Sequence, residues 1–135
     1  MKSLVAVLSM TIISFACFAQ DSAEYRACSG KANTQSEMTA CASDEAARVD
    51  AKLNTTYRAL LAKVASQREA LVKIKAAEGA WIAYRDAYIE ATYPAKDKAT
   101  EYGSIYPLEV ALLRAKLTQR QLAALEDMLQ HYTPK

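Results

Sequence analysis

The chain has 135 residues, 52% of them apolar and 24% charged, with a formal net charge of +2. That length holds one domain, and the basic residues are scattered (Lys63, Arg68, Lys73, Lys75, Arg85, Arg114) rather than massed, which excludes a nucleic-acid footprint. Three glycines and three prolines cannot supply the turns of a small β-sandwich, so long helices are the expectation.

The first segment reads as an export signal. Lys2 supplies a short positive start, residues 4–18 form a nearly unbroken apolar run, and Ala19 with small Cys17 before it marks a cleavage point. The run is short for a bilayer span, and polar Gln20-Asp21-Ser22 follows at once. Residues 1–19 are therefore read as a signal peptide and 20–135 as one mature domain, periplasmic or secreted, with no membrane insertion after cleavage. Ser14 and Phe15 ahead of Ala16 make a poor lipoprotein context, which disfavours a lipid anchor at Cys17. Either form leaves Cys28 and Cys41 as the only cysteines able to pair, and outside the cytosol they are expected to form one disulfide. Losing Lys2 with the leader brings the balance from +2 to +1.

Residues 20–33 are small and polar and read as a loop. Thr34-Gln35-Ser36-Glu37 is a capping box, so a helix should begin there. Met38, Cys41, Val49, Leu53, Tyr57, Leu60 and Val64 recur at helical spacing as its apolar face, while Asp44, Glu45, Arg48 and Lys52 mostly fall elsewhere. A weak break at Ser66-Gln67 precedes a second stripe of Leu71, Ile74, Trp81, Tyr84, Tyr88 and Ile89. Gly79 inside it costs about 1 kcal/mol and reads as a point of close helix approach. Pro94 ends this helix, residues 94–106 form the one substantial connection, and a third helix follows with Ser104 as its cap and Pro107 in its first turn. Its stripe is Leu108, Leu112, Ala115, Leu122, Leu125, Leu129 and Tyr132. The expected fold is all-α, an antiparallel three-helix bundle with one disulfide.

Catalytic chemistry finds no foothold. The single histidine, His131, lies near a fraying terminus, and no Ser–His or Cys–His pair can be built around it. Zinc, EF-hand and phosphate-loop spacings are all missing, so neither metal nor cofactor is implied. Asp86 and Glu90, one turn apart, are ordinary for a solvated helix face. The chain is read as a binding protein and not as an enzyme.

Two segments carry the distinctive residues. Trp81, Tyr84, Arg85 and Asp86 read as a structural motif: aromatic rings at the bundle core, with Arg85 and Asp86 tying this helix to a neighbour. The connection 94–106 and its flanks hold Tyr88, Tyr93, Tyr102 and Tyr106, half of the chain's eight tyrosines. Tyrosine gives large contact area at small entropic loss, so Tyr93, Asp97, Glu101 and Tyr102 are the candidate binding residues. The alternative reading is that these rings only cap the core.

The order Cys28, Thr34-Gln35-Ser36-Glu37-Met38, Cys41, Leu53-Asn54-Thr55-Thr56-Tyr57, Trp81, Tyr84-Arg85-Asp86, Gly103-Ser104, Thr118, Arg120 and Leu122 resembles the LprI-like N-terminal domain family. The family is named for a mycobacterial lysozyme inhibitor. The resemblance implies a small exported helical domain and a lysozyme-inhibiting contact. It also implies a second cysteine pair, which this chain replaces with Ile89 and Leu113, and a Gln where Glu78 stands. The partner is then lysozyme or another envelope protein. The alternative is a general envelope interaction or structural module with no effect on lysozyme.

Overall fold

The computed structural model describes residues 21–132, and the expected signal peptide and its cleavage point lie outside them. The regular elements among the described residues are all helices: α1 (Ala23–Ser29), α2 (Gln35–Lys63), α3 (Arg68–Thr92), α4 (Lys98–Tyr102), a 3-10 turn (Gly103–Ile105) and α5 (Tyr106–His131). The three long helices are those the apolar periodicity marks.

α1 corrects the reading of 20–33 as loop. Ser22 caps it, its Oγ accepting from the Tyr25 N–H at 3.0 Å, and Tyr25 is buried. The same hydroxyl donates to Glu45 Oε2 at 2.6 Å and accepts from Arg48 Nη2 at 2.7 Å. Arg48 also pairs with Glu45 directly. Glu45 is thus buried, against the expectation that it would fall on an outer face. Seven residues do not hold a helix alone in water. The Cys28–Cys41 disulfide completes the attachment, with the two Cα atoms 5.7 Å apart.

α2 opens with both halves of its capping box. Thr34 Oγ1 accepts from the Glu37 N–H at 3.2 Å, and Glu37 Oε2 accepts from the Thr34 N–H at 3.1 Å. Its inner stripe then runs through Cys41, Ala42, Glu45, Val49, Leu53 and Leu60. Met38 was expected on this stripe but is exposed.

Packing forms two clusters. Tyr25, Cys41, Ala42 and Leu108, flanked by Ala111 and Leu112, join α1 to the first turns of α2 and α5. Leu53, Leu60, Val64, Ile74, Leu122 and Leu125 join the later halves of α2 and α5 to the beginning of α3, with Tyr57, Leu71, Trp81 and Leu129 around them.

α3 is the least buried of the long helices. Its buried residues are Ile74, Glu78 and Ile89, and Glu78 Oε2 accepts from Gln121 Nε2 of α5 at 2.7 Å. The expected stripe is shifted around the helix. Ile74, Glu78, Trp81, Arg85 and Ile89 follow one another at three- and four-residue steps on the inner side, whereas Tyr84 and Tyr88 are exposed. Gly79 meets nothing within 4 Å of where a Cβ would stand, so no close helix approach depends on it.

Candidate recognition site

The connection between α3 and α5 is built more tightly than an open loop. α3 stops at Thr92 because Pro94 cannot donate to a further turn and biases Tyr93 toward extended backbone. Lys98 then gathers the chain: its ammonium donates to Glu90 Oε2 at 2.9 Å, to the Tyr93 carbonyl at 2.6 Å and to the Ala95 carbonyl at 3.2 Å. The bond to Glu90 raises the lysine's pKa above its ordinary value. Asp97 caps α4 with both carboxylate oxygens, which accept from the Thr100 N–H at 3.0 Å and the Thr100 hydroxyl at 2.7 Å. Gly103, at φ 68°, turns the chain from α4 into the 3-10 segment. Ser104 lies inside that segment and does not cap α5, which instead opens with Pro107 in its first turn.

Three tyrosines fill the space behind this backbone. Tyr93 meets Tyr102 and Tyr106 edge-on, each at 5.2 Å between ring centres, and Tyr102 stacks on Tyr106 at 5.7 Å. Tyr102 Oη accepts from the Ala95 N–H at 3.1 Å, and Tyr93 Oη donates to Glu109 Oε2 at 3.3 Å. Burial pushes the Tyr93 phenol up, and the Glu109 charge adds to the shift. All three rings are half-buried.

The candidate binding residues therefore divide by position. Tyr93 and Tyr102 are framework within the ring triad. Asp97 is exposed but engaged as a cap. Glu101 is exposed, and it makes no ion pair among the described residues. Beside it stands Ile105, 45% exposed, which the reading of 94–106 as loop did not single out. Lys98 and Glu109 were also missed. Their roles depend on carbonyls and a phenol brought close only by the fold.

The second motif lies along α3. The Arg85 guanidinium sits over the Trp81 ring at 5.1 Å and donates from Nε to Asp86 Oδ1 at 2.9 Å. Arg114 of α5 reaches the same carboxylate at 3.7 Å, so Asp86 spans the two helices. The Arg85 hydrogen bond leads in holding the Asp86 carboxyl below its usual range. Tyr84 and Tyr88 stand outside this pair, tilted 52° to each other at 5.8 Å.

Elsewhere, a hollow of about 220 Å³ lies between α2, α5 and the approach to α1, lined by Asp21, Glu45, Leu112, Leu113 and Lys116 among others. Among the described residues no group of three or more His, Cys, Asp or Glu side chains is placed to hold a metal ion.

The Asp97 cap carries a pH signature. Its carboxyl is held below the ordinary value, first by the Thr100 N–H and then by the Thr100 hydroxyl. A depressed folded-state pKa means the cap contributes fully above the ordinary carboxyl pKa and is lost as pH falls through the depressed one, below about pH 4. An NMR titration should show the Thr100 amide moving with a midpoint below that of a free aspartate, about 3.9. Asp97→Ala should abolish the movement. A midpoint at or above the free value would mean that the cap does not form.

The described residues thus form helices pinned by the Cys28–Cys41 disulfide, with a braced connection between α3 and α5. Residues 26–125 match the family model described as lysozyme inhibitor LprI, and the chain belongs to that family. A curated relative in Rhizobium meliloti (strain 1021), uncharacterized protein R02472, is 33% identical over 112 residues, covering 74% of this chain and 77% of the relative. No solved structure matches the chain.

Proposed function

We propose that the protein is exported by its first 19 residues and acts in the periplasm or outside the cell as a lysozyme inhibitor, through protein–protein contact. The observation that carries the reading is the bracing of the α3–α5 connection by Lys98, the Asp97 cap and the tyrosine triad. A connection already ordered before binding avoids most of the entropic cost of docking, as a reversible protein inhibitor requires. Membership of the family supports lysozyme as the partner. A disulfide suits an oxidising compartment, and no helix among the described residues is long and apolar enough to cross a membrane.

Residues 20–135 act in this reading as one domain, an antiparallel three-helix bundle in which α3 runs against α2 and α5. The two clusters support it: α2 and α5 meet first turns to first turns and later halves to later halves, with the start of α3 at the latter end. Tyr93 and Tyr102 hold the docking surface in shape, while Glu101 faces the partner and Asp97 keeps α4 folded beneath it. No step of this function uses a nucleophile, metal or cofactor.

The test is a cell-wall lysis assay in which the oxidised protein, residues 20–135, is titrated against c-type and g-type lysozymes. Stoichiometric loss of lytic activity is expected. Undiminished lysis at a large molar excess would overturn the reading.

A further inference from the structure

The end of the molecule carrying the braced connection combines two properties. The first is exposed apolar area contributed by two elements. Ile105, in the 3-10 turn, is 45% exposed, and Met38, in the first turns of α2, is 37% exposed. Both lie at the end of the molecule where α2 and α5 begin. Cys41 and Ala42 pack against Leu108 in the first cluster, Met38 lies one turn before the former and Ile105 one turn before the latter. α2 also makes contact with the 3-10 segment. Gln35, which opens α2, keeps a buried amide nitrogen without a hydrogen-bond partner among the described residues.

The second property is charge. Between Glu90 and Glu109 four carboxylates (Glu90, Asp97, Glu101, Glu109) face two ammonium groups (Lys96, Lys98), although the whole chain carries +2. Lys98 is already held by Glu90 at 2.9 Å. The connection and its flanks are thus net acidic, beside an exposed isoleucine, on a chain that is net basic. Interfaces concentrate their energy in an apolar centre and use the charged rim for steering and register.

Resting on the inhibitor reading above, we infer that Met38 and Ile105 form the apolar centre of the docking surface, with Glu101 on its acidic rim, and that the surface fits the cationic face of a lysozyme. Lysozyme is a basic enzyme, so the local acidity supplies the complementarity that the chain's overall charge lacks. The three tyrosines lie behind the surface and fix its shape. The recognition surface thereby extends from the connection onto α2, and α3 with exposed Tyr84 and Val72 stays outside it.

The experiment measures inhibition of a c-type lysozyme and direct binding to it by calorimetry, for the oxidised protein and four variants. Ile105→Asp and Met38→Asp should each weaken binding and inhibition roughly tenfold or more, the scale of a central contact. Glu101→Lys should slow association, with a loss that shrinks as salt is raised. Val72→Asp, at a position 59% exposed on α3, should match the parent protein. Circular dichroism and thermal melting check that each variant folds, and Ile105→Ser replaces Ile105→Asp if the latter does not. If the parent inhibits and the Met38 and Ile105 variants inhibit equally well, this surface is wrong and the inhibitor reading survives. If the parent neither binds nor inhibits lysozyme, both are overturned.

Discussion

Reduction of the Cys28–Cys41 disulfide is expected to lower the melting temperature by roughly 10 °C and to release α1. The bond closes a loop of separation 13, and a loop near that length is worth about 3 kcal/mol in the chain-entropy account. For a domain a little over a hundred residues long, each kcal/mol moves the transition by about 4 °C. The loss should be local before it is global. Once the tether is cut, α1 is held by Tyr25 in the first cluster and by Ser22 between Glu45 and Arg48. Those contacts must then offset the conformational entropy of the segment unaided. Calorimetry with and without a phosphine reductant measures the shift, and amide exchange locates it. The amides of α1 should approach unprotected rates while those around Leu60 stay slow. An unchanged transition with α1 still protected would show that Tyr25 and the Ser22 network secure the helix without the bond.

How much of this could be read in the sequence follows from how local each cause is. The capping box at Thr34 and Glu37 acts within four residues, and both of its bonds are present. Three long helices followed from apolar spacing, and the cysteine pair from the compartment. α1 was not legible because its stability comes from elsewhere, namely Tyr25 buried against Leu108 and the Ser22 hydroxyl held by Glu45 and Arg48. Nothing within 20–33 shows those partners. The register of α3 was misjudged for a definite reason. Two inner positions are occupied by charged residues, Glu78 held by Gln121 and Arg85 laid over Trp81. A count of apolar residues passes over both, so the apparent stripe rotates toward Tyr84 and Tyr88, which stand in solvent.

The candidate site divides in the same way. The concentration of tyrosines in and around 94–106 drew attention to the right connection, since composition alone carries that signal. It could not separate the framework rings Tyr93 and Tyr102 from the exposed Glu101 and Ile105, because that distinction is one of burial. A lone apolar residue such as Ile105 or Met38 has no periodicity to reveal its direction. Only the fold, in which α2 meets the 3-10 turn, brings the two elements that carry them into contact.

Leu60→Ala is expected to be the most damaging single core truncation, costing between about 2 and 5 kcal/mol. Leu60 is fully buried, in a cluster drawing Leu53 and Val64 from its own stretch of chain, Ile74 from α3, and Leu122 and Leu125 from α5. The three long helices all bear on that cluster, so a cavity there weakens every pairing among them. A domain of this size has on the order of 5–15 kcal/mol of stability in all, so the loss is a large fraction of it. Val72→Ala, on the exposed side of α3, should change stability by no more than about 0.5 kcal/mol. Urea unfolding of the two variants beside the parent protein measures the contrast. The slope of the transition carries further information, because α3 contributes few buried residues and rests on Ile74, Trp81 and Ile89 for its attachment. If Leu60→Ala shifts the midpoint and leaves the slope intact, the three helices unfold as one unit. A loss below about 1 kcal/mol would mean that α3 moves inward to fill the space, and its thin packing would then be a reserve of adaptability rather than a weakness.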